Sequence, residues 1–298
     1  MQQTDQKRLQ RVSEEWRQRL AGRADPLDVA QRDAVFAGSE FVVQTLLRDA
    51  DAVLQAYAAG DFARAYRPGE MAQSLAELLA PLEEEMALER TLRQFRNRQM
   101  VRIIWRDLAG LAPLEETLED LSELADVCIA QTLDVLYRWA VEKDGVPRDR
   151  AGREQRLVVL GMGKLGAREL NLSSDIDLIF CFPEHGHTDG RRQVENEAFF
   201  VRLGRRLINV LSRQTVDGFV FRVDMRLRPF GDAGPLVVSF DAMEHYLQGQ
   251  AREWERYAMV KARAISGEAQ DRAELQNLIN AFVYRRYIDF GVIESIPT

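Results

Sequence analysis

The chain has 298 residues, of which 46% are hydrophobic and 29% charged, and its formal net charge is −7. This length is sufficient for two domains that each bury a core. The negative charge argues against a general nucleic-acid-binding protein, which would carry a basic surface. No apolar run reaches the length of a membrane span, and the segment MQQTDQKRLQ lacks the apolar core of a signal peptide. Because Cys128 and Cys181 form no disulfide or metal-binding pattern, we expect a cytoplasmic protein.

Residues 1–150 form the first predicted domain, which is helical up to about residue 142. Segment 39–57 carries apolar residues at the 3.6-residue spacing of an amphipathic helix. Ser39 is suited to cap the start of this helix and Gly60 to end it. Similar apolar stripes run through residues 89–111 and 118–143. Nothing in these helices indicates chemistry, so we expect a scaffold or docking region.

The charged stretch 143–156 contains glycine and proline and is predicted to connect two domains. Beyond it, β-branched and aromatic runs predict strands, whereas apolar spacing near 3.6 residues predicts helices. The predicted strands are 156–162, 175–182 and 218–229, and the predicted helices are 194–214, 239–249, 253–265 and 273–290. We therefore expect an α+β domain over residues 151–268. Residues 269–298 are expected to begin a truncated helical segment that has no packing partners of its own.

Two aspartates, Asp175 and Asp177, stand one residue apart at the start of strand 175–182. Alternate residues of a strand share a face, so the two carboxylates point to the same side of the sheet. Asp224 lies in strand 218–229, and the three carboxylates converge if the two strands are neighbours. An oxygen-only ligand set of this kind is typical of Mg²⁺ or Mn²⁺. Two such ions can stabilise the attacking and leaving oxygens of a nucleotidyl or phosphoryl displacement.

The segment LGMGKLG follows strand 156–162 and contains Gly161, Gly163 and Gly166. Glycine lets the backbone approach a phosphate closely, and Lys164 can place a positive charge on that phosphate. The same spacing also fits a dinucleotide-binding fingerprint, which needs a long helix and then an acidic residue about twenty positions on. Here the paired aspartates follow about nine residues after Gly166, which favours a phosphate-binding turn.

The combination of glycine turn, paired aspartates and a later third aspartate resembles the DNA polymerase β-like nucleotidyltransferase superfamily. Three segments are more specific, namely GMGKLGARELNLSSDIDLIF, VDMRLRPFGDAGPLVVSF and EWERYAMVKARAI. They are similar to the bifunctional glutamine synthetase adenylyltransferase/adenylyl-removing enzymes, whose long chains carry two nucleotidyltransferase domains. The resemblance is strongest over residues 156–266 and implies a small mixed sheet flanked by helices. With one such domain after a helical region, the chain is similar to the N-terminal, adenylyl-removing half of that family.

The resemblance implies two sets of site residues. The catalytic residues and metal ligands, for Mg²⁺ or Mn²⁺, are Asp175, Asp177 and Asp224. The residues that line the AMP and phosphate site are Gly161, Gly163, Lys164, Ser174, Arg226 and Arg228. The implied reaction is phosphorolytic removal of AMP from a tyrosine of glutamine synthetase, with phosphate consumed and ADP released. The implied regulators are the PII signalling protein and glutamine.

Two other functions remain open at this stage. The domain can instead attach AMP from ATP, or it can be a non-catalytic regulatory module that binds a signalling protein or metabolite. The intact set of three carboxylates disfavours the module, because nothing in a retired site would keep unscreened charges together.

Several residues also have plain structural interpretations. The paired aspartates can be a solvated strand end, and the arginines of RLRP a solvated edge that discourages strand pairing. Lys261, Trp254 and Tyr257 share a helical face, which usually packs in a core, although a nucleotide contact is the alternative. His185 and His187 supply only two candidate ligands, too few for a metal site. Cys128 lies in an apolar stripe and is expected in the core.

Overall fold

The computed structural model describes residues 3–284, which form an α+β fold as predicted. The helices are α1 (Gln3–Leu20), α2 (Val29–Gly38), α3 (Glu40–Arg48), α4 (Ala50–Ala58), α5 (Glu70–Leu79), α6 (Glu85–Leu108), α7 (Leu114–Asp144), α8 (Gly163–Gly166), α9 (Asn196–Ser212), α10 (Phe240–Gly249), α11 (Glu253–Met259) and α12 (Ala269–Val283). The strands are β1 (Pro147–Asp149), β2 (Val158–Gly161), β3 (Ile176–Phe182), β4 (Gly186–Thr188), β5 (Val223–Asp224), β6 (Val237–Ser239) and β7 (Arg263–Ala264). Within residues 3–284, no helix combines the length and apolar character needed to cross a membrane.

The helical prediction for the first 142 residues is confirmed, with one difference in segment 39–57. Ser39 caps α3 as predicted, since its side-chain oxygen accepts the backbone N–H of Val42 at 3.3 Å. The structure has two helices, α3 and α4, where one was expected, because the backbone leaves the helical region at Asp49 (φ −128°, ψ 53°). Gly60 follows the end of α4 with φ +83°, a conformation that glycine adopts without strain.

The central sheet is mixed and is built around β3. Strand β2 runs antiparallel along one edge of β3, and β7 runs antiparallel along β2. The other edge of β3 is shared by β5 at its start and β6 at its end, both parallel to it. A separate antiparallel pair is formed by β1, which follows α7, and β4, which follows β3. The small mixed sheet implied by the resemblance is therefore present.

Helices cover both faces of this sheet. One apolar cluster continues from the N-terminal helices through α7 and α9 to alternate residues of β3, including Phe180 and Phe182. A second cluster packs Ile179 and Cys181, on the opposite face of β3, against α10, α11 and α12. Both faces of β3 are therefore buried, which explains its continuous apolar run. The domain boundaries predicted at residues 150 and 268 stay predictions.

The expected strand 218–229 is much shorter than predicted, since β5 contains only Val223 and Asp224. The chain turns immediately afterwards: the Asp224 carboxylate accepts the backbone N–H of Arg226 at 2.8 Å, and the Arg228 N–H donates to the Met225 carbonyl at 3.2 Å. Arg226 and Arg228 therefore lie in a turn and not on the strand face that their alternation suggested.

The C-terminal elements differ from expectation in two further ways. The predicted helix 253–265 ends at Met259, and its last part forms β7. The expectation that the last segment has no packing partners is wrong for α12, which buries Leu275, Ile279 and Phe282 against the second apolar cluster. The remainder of predicted helix 273–290, beyond residue 284, lies outside the described residues.

Candidate active site

The acidic residues meet at the start of β3, as the sequence predicts. Asp177 on β3 and Asp224 on β5 are paired in register, so their side chains lie on the same face of neighbouring strands. Asp175 precedes β3 directly, and the backbone N–H of Ile176 extends the ladder to the Arg222 carbonyl at 2.9 Å. We call Asp175, Asp177 and Asp224 the acidic edge. The prediction that the two strands are neighbours is therefore confirmed.

Arginines engage two of these three carboxylates. Asp175 accepts the guanidinium of Arg222, which also donates to the Ser173 carbonyl at 2.8 Å. Asp224 accepts Nε of Arg226 at 2.7 Å. Among residues 3–284, no three acidic, histidine or cysteine side chains are grouped closely enough to form a preassembled metal cluster. The arginines neutralise the outer carboxylates and leave the middle one exposed to its like-charged neighbours.

Asp177 is the middle carboxylate, and within residues 3–284 its side chain has no hydrogen-bond or ion-pair partner. Burial raises the pKa of Asp177, and the negative charges of Asp224 and Asp175 raise it further. The pKa of Asp224 is instead lowered, chiefly because Arg226 donates to its charged form. Repulsion between carboxylates is thus concentrated at Asp177, where a bound cation would relieve it.

The donor set fits a divalent cation of the hard class. All three side chains offer carboxylate oxygens, the ligands that Mg²⁺ and Mn²⁺ prefer, and all three lie at one end of two adjacent strands. Asp177 would hold the ion together with Asp224 and Asp175. Such an ion supplies Lewis-acid stabilisation of phosphoryl oxygens.

The glycine turn lies directly beside Asp177. The backbone N–H of Met162 donates to the Asp177 carbonyl at 2.9 Å. Gly163 has φ +54°, and a Cβ placed on it would lie 3.2 Å from Oδ2 of Asp177. The backbone of Gly163 therefore borders the acidic edge closely, as a phosphate-binding turn would need.

The other two glycines of the turn face the interior. A Cβ on Gly166 would lie 1.8 Å from the Lys261 carbonyl oxygen, and a Cβ on Gly161 would lie 2.6 Å from the Ile265 side chain. Gly161 and Gly166 thus allow the chain around β7 to pack against the turn. Of the three glycines, Gly163 is the one beside the carboxylates.

The other residues predicted to line the nucleotide site have different environments. The side chain of Lys164 is exposed. Ser174 donates its hydroxyl to Asn171 at 2.6 Å and so stabilises the loop that precedes Asp175. Arg228 donates to the Met225 carbonyl at 2.8 Å, while its Nε is buried without a partner among residues 3–284.

Sequence reasoning missed a group that fixes the glycine turn to the helical region. Asp126 on α7 accepts Arg168 at 3.0 Å and Arg263 at 2.9 Å, and its side chain is only 15% exposed. Arg263 also donates to the carbonyls of Leu165 and Gly166, at 3.0 and 3.1 Å. We call Asp126, Arg168 and Arg263 the anchor. Burial raises the pKa of Asp126 although both arginines oppose the shift.

The plain structural interpretations have mixed outcomes. Lys261 forms an ion pair with Glu169 at 2.7 Å, and Trp254 and Tyr257 are 52% and 59% exposed, so the core interpretation of this helical face is wrong. Cys128 is buried in the core, as expected. His185 packs edge-on against Phe182, at the opposite end of β3 from the acidic edge.

Comparison with known proteins identifies the family of the chain. The family model described as glutamate-ammonia ligase adenylyltransferase matches residues 29–278. The bifunctional glutamine synthetase adenylyltransferase/adenylyl-removing enzyme of Nitrosococcus oceani is 53% identical over 264 residues, which cover 88% of this chain and 27% of that protein. The Pseudomonas putida enzyme of the same name is 52% identical over 275 residues, covering 92% and 28%.

The same-named enzyme of Shewanella oneidensis is 49% identical over 298 residues, covering 99% of this chain and 31% of the relative. The chain thus spans about three tenths of the length of the curated relatives it matches. The matched region contains the acidic edge, the glycine turn and the anchor. On sequence and fold together, the chain belongs to the glutamate-ammonia ligase adenylyltransferase family.

Proposed function

We propose that this chain removes AMP from the adenylylated tyrosine of glutamine synthetase by metal-dependent phosphorolysis, releasing ADP. The observation that carries the proposal is the in-register pair of Asp177 and Asp224 beside the turn at Gly163. A divalent cation held by the acidic edge would stabilise charge on the transferred phosphoryl group. The names of the relatives supply the protein substrate and both directions of the reaction.

The chemistry of the site supports removal over attachment. Inorganic phosphate is already an anion, whereas attachment must deprotonate a tyrosine hydroxyl with a pKa of about 10. Asp224 is a weak base because Arg226 lowers its pKa. Phe182 lies five residue steps along β3 from Asp177, roughly 16 Å at ~3.3 Å per residue, and His185 and His187 lie beyond Phe182.

The arginines after β5 supply the charge that phosphate binding needs. Arg226 is exposed beside Asp224, and Arg228 holds a buried Nε without a partner in the described part of the chain. A phosphate approaching this turn would meet two guanidinium groups next to the acidic edge. In phosphorolysis the phosphate oxygen attacks the AMP phosphorus, the bond to the tyrosine oxygen breaks, and that oxygen takes up a proton.

The reaction is tested with adenylylated glutamine synthetase, Mg²⁺ and phosphate, with ADP as the measured product. We expect ADP release that requires both phosphate and the divalent ion. Asp241→Asn is the matched control for Asp177→Asn. It removes the same charge, but from an exposed acid on α10. Absence of ADP together with AMP incorporation from ATP into unmodified synthetase would contradict removal and support attachment.

Regulation by the PII signalling protein and by glutamine belongs to the same proposal. The N-terminal helices contact the catalytic elements directly: Arg93 on α6 donates to the Gly218 carbonyl at 2.8 Å, in the loop that leads to β5. A partner that shifts α6 would therefore shift the segment that positions Asp224. The non-catalytic module is disfavoured, because Asp177 is kept unpaired between two other carboxylates.

A further inference from the structure

A cleft of about 490 Å³ is lined in part by Arg226, which also donates to Asp224 of the acidic edge. Three arginines and three aromatic side chains line it. They are Arg226, Arg228, Arg252, Phe230, Tyr246 and Trp254. The cleft lies between the turn that follows β5 and the start of α11, so it is continuous with the site described above.

Two aromatic rings of this cleft are unusually exposed. Trp254 is 52% and Phe230 51% exposed, although side chains of this size are normally among the most buried in a domain. Phe230 also has φ +62°, a left-handed conformation that costs a bulky residue free energy. Within residues 3–284 both side chains stay about half exposed, and both line the cleft.

The walls of the cleft are held in position by a buried acid. Glu255 is 7% exposed, accepts the hydroxyl of Tyr246 and accepts the backbone N–H of Arg252 at 2.8 Å. Tyr246 in turn packs edge-on against Phe230, with ring centroids 4.7 Å apart. The aromatic surface is therefore preorganised, since Tyr246 and Phe230 are fixed by neighbours that are themselves anchored.

The charge of the cleft is positive. Glu255 is its buried acid and is already engaged by Tyr246 and the backbone of Arg252. Arg228 contacts the exposed Asp232 at 3.2 Å, yet its buried Nε has no partner among the residues the structure describes. An aromatic surface beside an unsatisfied guanidinium donor suits a ligand that combines a planar base with phosphate groups.

We infer that this cleft binds the adenine nucleotide, with the base against Trp254 and Phe230 and the phosphate on Arg228 and Arg226. The inference rests on the proposed function and adds to it the place of the base. Arg226 contacts both the cleft and Asp224, so the phosphate end of the nucleotide lies toward the acidic edge. Trp254 then acts as a binding residue, and the acids carry the chemistry.

The test is ADP binding in the presence of Mg²⁺, measured by calorimetry and by tryptophan fluorescence. Of the four tryptophans, Trp16 and Trp105 are buried and Trp139 is partly buried, so Trp254 is the one open to a ligand. We expect ADP to quench fluorescence, and Trp254→Leu to weaken ADP binding about tenfold. Tyr257→Leu is the matched control, because Tyr257 is equally exposed on α11 but lies outside the cleft.

Pyrophosphate carries no base, so its binding measures the contribution of the phosphate contacts alone. We expect Trp254→Leu to leave pyrophosphate affinity unchanged and Arg228→Gln to weaken pyrophosphate and ADP alike. Equal ADP affinity in Trp254→Leu and the unaltered chain, or equal losses for ADP and pyrophosphate, would overturn the placement of the base.

If ADP binding depends on Trp254 but no ADP is released from adenylylated synthetase, the cleft stands and the proposed reaction falls. If phosphorolysis proceeds and Trp254→Leu binds ADP normally, the cleft falls and the reaction stands.

Discussion

The two ends of the glycine turn carry opposite kinds of acid. At the Gly166 end, the anchor surrounds Asp126 with Arg168 and Arg263, so the buried charge is compensated on both sides. At the Gly163 end, Asp177 has like-charged neighbours and, within residues 3–284, no partner of its own. Burial raises the pKa of both carboxylates, so the direction of the shift does not distinguish them.

The ionic partners of the two carboxylates distinguish them. A structural acid is stabilised by the charges that the fold supplies, whereas an acid left unpaired costs stability unless a ligand supplies the charge. Asp126 therefore belongs to the scaffold, and we propose that Asp177 takes part in the chemistry. Substitutions at the two ends of the turn should separate stability from activity.

The largest effect is expected for Asp177→Asn. ADP release should fall at least about a hundredfold, since several kcal/mol of electrostatic stabilisation depend on this ligand. The free energy of unfolding without metal should stay the same or rise, because repulsion with Asp175 and Asp224 is removed. Activity assays and urea unfolding on the same preparation measure the two effects. A large loss of stability would place Asp177 with the structural acids.

Gly166→Ala is expected to cause the largest loss of stability, about 3 kcal/mol. Its Cβ would overlap the backbone of Lys261, which cannot move without shifting β7. Urea unfolding checks this value. An unfolding free energy within 0.5 kcal/mol of the unaltered chain, roughly the range of neutral surface substitutions, would show that the turn and β7 are not closely packed.

Asp126→Ala should destabilise the fold by about 2 kcal/mol, because it leaves two arginines without their shared carboxylate. The cost is below that of a fully buried pair, since both arginine side chains are partly exposed and reach solvent. We expect activity to fall less than tenfold at temperatures where the variant is folded. An activity loss as large as that of Asp177→Asn would mean that the anchor also contacts substrate.

Gly163→Ala should lower stability less than Gly166→Ala or Asp126→Ala, by about 1 kcal/mol from the left-handed backbone. Its added methyl group would lie against Oδ2 of Asp177, so the Michaelis constant for phosphate or metal should rise. Steady-state kinetics alongside unfolding gives both numbers. Gly163→Ala behaving like Gly166→Ala in both measurements would remove the difference between the two ends of the turn.

The parts of the site that sequence could predict are those whose signal is local. The paired aspartates, the glycine turn and the Ser39 cap each depend on neighbours within a few residues, and each was found. The strand predicted at 218–229 is wrong in its length. The Asp224 carboxylate accepts the backbone N–H of Arg226, and the strand ends after two residues. Alternation of residue types does not reveal such a turn.

The anchor was missed for a different reason. Asp126 and Arg263 are 137 positions apart, and only the packing of α7 against the turn brings them together. The same holds for Arg222 and Asp175, which are 47 positions apart in the chain. One sequence contains no signal that links such pairs, so the ionic environment of the acidic edge had to come from the fold.

Mn²⁺ binding followed by electron paramagnetic resonance tests the role of the acidic edge most directly. The unaltered chain should bind Mn²⁺. Asp177→Asn and Asp224→Asn should each lose at least about 1.4 kcal/mol of binding free energy, a tenfold loss of affinity. The exposed-acid control Asp241→Asn should bind Mn²⁺ normally. Unchanged Mn²⁺ affinity in Asp177→Asn would contradict the assignment of this edge as the metal site, and with it the metal-dependent reaction.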